Sequence, residues 1–193
     1  MDKLVPEDLY TLEAYARLRD EYRARVMEHK QHRRVLLGEN VLLLFEDRLT
    51  VQYQVQEMLR VERIFEAAGI VEELAAYNPL IPDGSNWKAT MMIQFADPEE
   101  RRVALERLVG IEDRAWVRVD EHPEVTAIAD EDLERATATK TSSVHFLRFE
   151  LTPAMCDSLK YGASLHAGVS HPEYAAAVEV SEAMRESLIA DLA

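Results

Sequence analysis

The chain is poor in cysteine and glycine, and it lacks any long apolar run. A single cysteine, Cys156, among 193 residues excludes an internal disulfide, a four-cysteine zinc site and a self-contained iron–sulfur cluster. Six glycines leave little room for phosphate-cradling loops, and neither a P-loop nor a dinucleotide fingerprint is present. G-x-S-x-G and H-E-x-x-H are also missing, as is the repeated E-x-x-H of di-iron bundles. No apolar stretch approaches the roughly 18 residues of a membrane span. The opening MDKLVPEDLY has no basic-then-apolar leader pattern, so the expectation is a cytoplasmic protein. Positive charge is short overall. The net charge of −14 disfavours nucleic acid and anionic membrane as the main partner.

What is present is the balance of a folded protein, with 48 % hydrophobic and 30 % charged residues. One substantial core is expected for this length. The strongest signal lies in Glu39–Gly69. Val41–Phe45 is an unbroken apolar run, the pattern of a strand covered on both faces. Leu49, Val51, Tyr53 and Val55 then alternate with polar residues, which would suit a hairpin. The pattern, however, continues through Met58, Leu59, Val61, Ile64 and Phe65 to Gly69. That length predicts a helix over 48–68, opened by Asp47 and closed at the glycine. On such a helix Val51, Val55, Met58 and Phe65 form a stripe with Glu62 in its middle. A carboxylate there must be paired, protonated or beside water, which makes Glu62 a candidate catalytic group as well as a candidate structural ion pair.

Elsewhere the pattern predicts a helix over 6–32, started by Pro6 with Glu7 and Asp8. Its apolar face is diffuse and rich in tyrosine and arginine, so it is a candidate surface for a homo-oligomer or another partner. Arg17–Arg34 holds seven basic residues against three acids. Asn78–Trp87 reads as a loop, with Trp87 as its anchor. Lys88–Phe95, Pro98–Val109 and Arg114–Val119 read as strand, helix and strand, a possible right-handed crossover. A short strand is expected in Val125–Ala129, and a polar, partly helical connection over Asp130–Ser143. Val144–Leu151 is a strand dividing His145, Leu147 and Phe149 from Phe146, Arg148 and Glu150. A helix capped by Thr152, strands at Ser164–Val169 and Tyr174–Val180, and a final helix from Ser181 complete the pattern. With so little strict βα alternation, the reading is a single α+β domain over 1–193, with a mixed or antiparallel sheet and packed helices.

His29 and His32 stand three apart, on one face of a helix, and are candidate halves of a metal site. His145 is a candidate catalytic group, and Arg148 with Glu150 could hold a polar ligand. His166 and His171 are a less regular pair. Cys156 lies in a first helical turn, where the dipole would lower its pKa, although a buried inert thiol accounts equally for it. His-Pro-Glu occurs at His122–Glu124 and again at His171–Glu173, each before a strand-like run.

The stretches FEDRLTVQYQVQEMLRVERIF and HFLRFELTP resemble an uncharacterised bacterial family. Its members carry an LLFE-x-R…QEMLR-x-ER core, a similar HFLRFELTP strand and a late His-Pro turn. Genes of that family often stand beside rubrerythrin and a heterodisulfide-reductase-type iron–sulfur oxidoreductase. The resemblance therefore implies a link to peroxide or redox metabolism, and it carries over no catalytic residues. The sequence reading is an oligomeric accessory or binding protein acting beside a redox partner. The alternative is a small metal-binding protein or enzyme that uses Glu62 with histidines gathered by the fold.

Overall fold

Two antiparallel sheets share one core, and the N-terminal helices build two smaller apolar clusters of their own. The structure, a computed structural model, describes residues 2–193. A 3-10 turn at Pro6–Asp8 precedes α1 (Leu12–Gln31), which Thr11 caps through the Ala14 N–H. The first helix therefore starts later than the proline suggested. The chain continues through β1 (Arg34–Leu37), β2 (Val41–Glu46), α2 (Arg48–Glu62), α3 (Ala67–Tyr77), β3 (Asn86–Ile93) and α4 (Pro98–Arg107). Then come β4 (Ala115–Val119), β5 (Val125–Thr126), β6 (Ile128–Ala129), β7 (Val144–Glu150), α5 (Pro153–Lys160), β8 (Leu165–His171), β9 (Tyr174–Glu179) and α6 (Glu182–Ile189). The strand orders are β1-β2-β3-β7-β6 and β5-β4-β8-β9.

Alternation explains which face each strand buries. Val41, Leu43 and Phe45 of β2, Trp87 and Met91 of β3, and Leu147 and Phe149 of β7 point to one side. There they join Val117 and Val119 of β4 and Ala167 and Val169 of β8 in one cluster. At about 1.5–3 kcal/mol for each fully buried large apolar side chain, this layer dominates the fold. Trp87 is inside it, with its indole N–H donating to the Leu188 carbonyl at 2.9 Å. The expected crossover does not form. β3 and β4 belong to different sheets, with α4 between them in the chain. Residues 125–129 divide between the sheets rather than making one strand, and 130–143 contains no helix.

The predicted 48–68 helix is two helices. Asp47 caps α2 reciprocally with Thr50, but Arg63 then adopts φ 55°, a left-handed cap that ends the helix at Glu62. Gly69 lies inside α3. The buried face is Val51, Val55 and Leu59, at i, i+4 and i+8. Phe65 is 70 % exposed. Glu62 is exposed and makes no ion pair among the described residues. Its expected place beneath an apolar stripe is thus corrected, because the stripe stops before reaching it.

Helix α1 packs on α2, and part of the face expected at a partner surface is used internally, whereas Arg17, Arg23 and Arg25 stay exposed. Tyr15 and Tyr22 are buried. Arg19 grips the Glu57 carboxylate with two bonds of 2.8 and 2.7 Å, and the Tyr15 hydroxyl donates to the same group. No helix among the described residues is long and apolar enough to cross a membrane.

Candidate functional site

Strand β7 carries two of the candidate residues on opposite faces. His145 points inward and is 0 % exposed, whereas Arg148 lies on the half-buried outer face.

The inner site draws on three separate segments. Asp130 follows β6 with φ 50°, a left-handed conformation that aspartate tolerates better than most residues. Its main chain donates to the Phe146 carbonyl at 2.8 Å. Its Oδ1 accepts the Phe146 N–H at 2.9 Å, and its Oδ2 meets His145 Nδ1 at 2.6 Å. Asp130 therefore fixes both the strand and the ring. Glu112 comes from a 3-10 turn over Ile111–Arg114 that follows Gly110 at φ 84°. Thr141 is tied by its N–H to the Leu105 carbonyl at 3.0 Å. Its hydroxyl stands 3.1 Å from Glu112 Oε2 and 2.9 Å from His145 Nε2. The Ser142 carbonyl lies 3.0 Å from the same nitrogen, and Glu112 Oε2 lies 3.8 Å from it.

A carbonyl only accepts, and so does an ionised carboxylate. Asp130 Oδ2 accepts from Nδ1, while Nε2 faces the Thr141 hydroxyl, which can donate or accept, and the Ser142 carbonyl, which only accepts. Glu112, Asp130 and His145 also offer one ligand atom each, all within 4.8 Å of one another. A cavity of about 390 Å³ opens beside them, lined by Glu112, Asp113, Asp130, Glu134 and Arg135 among others. Arg135 reaches Asp130 Oδ1 at 3.2 Å and lies over the Phe146 ring, 4.5 Å from its centroid.

The remaining candidates are scattered. His29 Nε2 binds Asp47 Oδ2 at 2.5 Å, whereas His32 is exposed at the end of α1. The two do not converge on a metal position. Burial pushes the Asp47 carboxyl up, but Arg33, the Thr50 N–H and His29 together hold it below the usual range. Arg33, 1 % exposed, also bonds Asp191 and the carbonyls of Phe45, Glu46 and Ser187. Cys156 is buried, and burial raises its thiol rather than the helix lowering it. The two His-Pro-Glu segments both turn between antiparallel strands, but their histidines differ in use. His122 meets the Ser158 hydroxyl, and His171 meets the Val109 carbonyl.

The family model described as "Protein of unknown function (DUF3501)" matches residues 3–192. The chain belongs to the DUF3501 family. It is also similar to a crystal structure of a novel protein of unknown function from Burkholderia pseudomallei K96243. The identity is 53 %, all of each chain is covered, and the TM-score is 0.95. A search among curated proteins found no match. Glu112 and Asp130 were not singled out from the sequence, since both sit in irregular turns without periodicity. His145, on the alternating strand VHFLRFE, was the residue of this site that the sequence singled out.

Proposed function

We propose that this DUF3501 protein is a metal-binding accessory protein whose divalent cation is held by His145 Nε2 and Glu112, with Asp130 orienting the imidazole from its other nitrogen. The observation that carries the reading is the 3.8 Å between His145 Nε2 and Glu112 Oε2. Two ligands bound at about 2.1 Å on one tetrahedral ion stand roughly 3.4 Å apart. The Asp130 contact to Nδ1 is the carboxylate–histidine arrangement that fixes ring and tautomer around metals. Nitrogen and oxygen donors without sulfur suit Zn²⁺, Mn²⁺ or Fe²⁺. The acidic residues around the neighbouring cavity supply an attractive route for a cation. The resemblance in the LLFE and HFLRFE stretches supports a setting in cytoplasmic peroxide or redox metabolism, with a redox protein as partner.

In this reading the cation takes the place of the Nε2 contacts to Thr141 and Ser142. An imidazole nitrogen binds a cation only when it carries no proton, so uptake weakens as pH falls. Calorimetric titration of chelator-treated protein with Zn²⁺ and Mn²⁺ tests it, alongside elemental analysis of freshly purified protein. The expected result is one equivalent bound, at least tenfold weaker binding in Glu112→Gln and His145→Gln, and no change in Cys156→Ser. Absence of saturable binding by the unaltered protein overturns the reading, as does equal affinity in the two ligand variants. Either outcome would leave His145 as the centre of a purely structural proton network.

A further inference from the structure

On the other face of β7, helix α3 and the 3-10 turn at Asn78–Leu80 stand over the sheet and leave a cleft of about 280 Å³. We infer that this cleft binds a small monocarboxylate with an apolar body, its carboxylate on the Lys88 ammonium beside Arg148 and its body against Tyr77, Leu80 and Phe146.

The argument starts from the ladder. Lys88 of β3 is directly opposite Arg148 of β7, so two cations share one face of the sheet. Like charges directly opposite one another are destabilising, and the two residues solve the problem differently. The Arg148 guanidinium is neutralised, with Nε and one terminal nitrogen each 2.7 Å from the Glu131 carboxylate and the other terminal nitrogen on Glu150. Lys88 has no ion-pair partner among the described residues. Glu46, its neighbour on the β2 side, is occupied at both oxygens by the hydroxyls of Thr50 and Thr90. Burial, and after it the Arg148 charge, holds the Lys88 ammonium below the ordinary lysine range. An anion bound there would relieve that cost.

The surroundings select the anion. The cleft is lined by Ala76, Tyr77, Pro79, Leu80 and Phe146 beside the charged groups, so the ligand needs an apolar body. Glu131 and Asp132 also line it, which disfavours a doubly charged phosphate ester where only one cation lacks a partner. The volume is at the small end for ligand sites and suits roughly six to ten carbons. A medium-chain or aryl acid meets all three conditions.

Calorimetry or NMR titration with octanoate and benzoate, each against its neutral amide, tests the inference. Saturable binding of at least one acid is expected, with the amide at least tenfold weaker. Lys88→Met, which keeps most of the apolar stem, should lose at least tenfold in affinity, and Lys88→Arg should recover part of it. Thermal melts of both variants show whether they remain folded, and Lys88→Gln replaces Lys88→Met if that variant does not. Glu112→Gln should bind the acid normally, which separates this site from the metal site. Equal binding of acid and amide, unchanged affinity in the folded lysine variant, or no saturable binding of either acid overturns it.

Discussion

Replacing Asp130 with alanine should be among the most damaging single changes in the domain. The side chain is 9 % exposed and its histidine partner 0 %. The change removes the acceptor for His145 Nδ1, the acceptor for the Phe146 N–H and one anchor of Arg135. It leaves the buried Nδ1–H of His145 and the Phe146 N–H without acceptors. Each buried polar group left unsatisfied costs about 1–3 kcal/mol, about 2–6 kcal/mol for the two. For a domain of this size each kcal/mol lowers the melting temperature by about 2–4 °C, so a fall of about 4–24 °C is expected. Urea denaturation with chelator present isolates the protein's own energetics. Removing His145 as well, as Asp130→Ala with His145→Leu, abolishes the stranded Nδ1–H. The double variant should therefore be less destabilised than the sum of the two single changes. A loss below about 1 kcal/mol in Asp130→Ala would refute the reasoning, because two buried N–H groups left without acceptors cost more than that.

Two further outcomes test other parts of the structure. Burial, only partly offset by Arg33, pushes the Asp191 carboxyl up to about 6. Between pH 4 and 6 the folded chain then holds a proton there that the unfolded chain has released. The contribution of this group to stability is accordingly greatest at the acid end and declines as pH rises through about 6. Asp47, held low, runs the other way, so its contribution is lost on acidification. Urea midpoints across pH 4–7 should show the Asp191 slope as a difference between the unaltered protein and Asp191→Asn, and parallel curves would count against it. Glu62→Gln should change stability by no more than about 0.5 kcal/mol, since Glu62 is exposed at the end of α2. A loss of several kcal/mol in a thermal melt would restore the buried position that the helix pattern first suggested.

The contrast between Glu62 and Asp130 shows which parts of this protein were legible in the sequence. Periodicity reports the faces of regular elements. The apolar run at Val41–Phe45 became β2, paired on both edges by β1 and β3, and the alternation in VHFLRFE separated His145 from Arg148 across β7. It cannot report an ending made by a residue with no breaking signature. Arg63 turns left-handed where glycine would be expected, and an extrapolated stripe then carried Glu62 into an interior it never enters. The inner site was hidden for a related reason. Asp130 is 15 residues from His145 along the chain, and Glu112 and Thr141 are 29 apart. None lies in a repeating pattern, and each is delivered by an irregular segment. Yet the restrictions on such turns are chemical ones. A left-handed position favours aspartate or asparagine, and an acid at that position beside a strand's main chain can hold the strand and a side chain together, as Asp130 does with Phe146 and His145. The histidine was the readable half of the site, and the acids beside it, Asp130 and Glu112, are the half that only folding supplies.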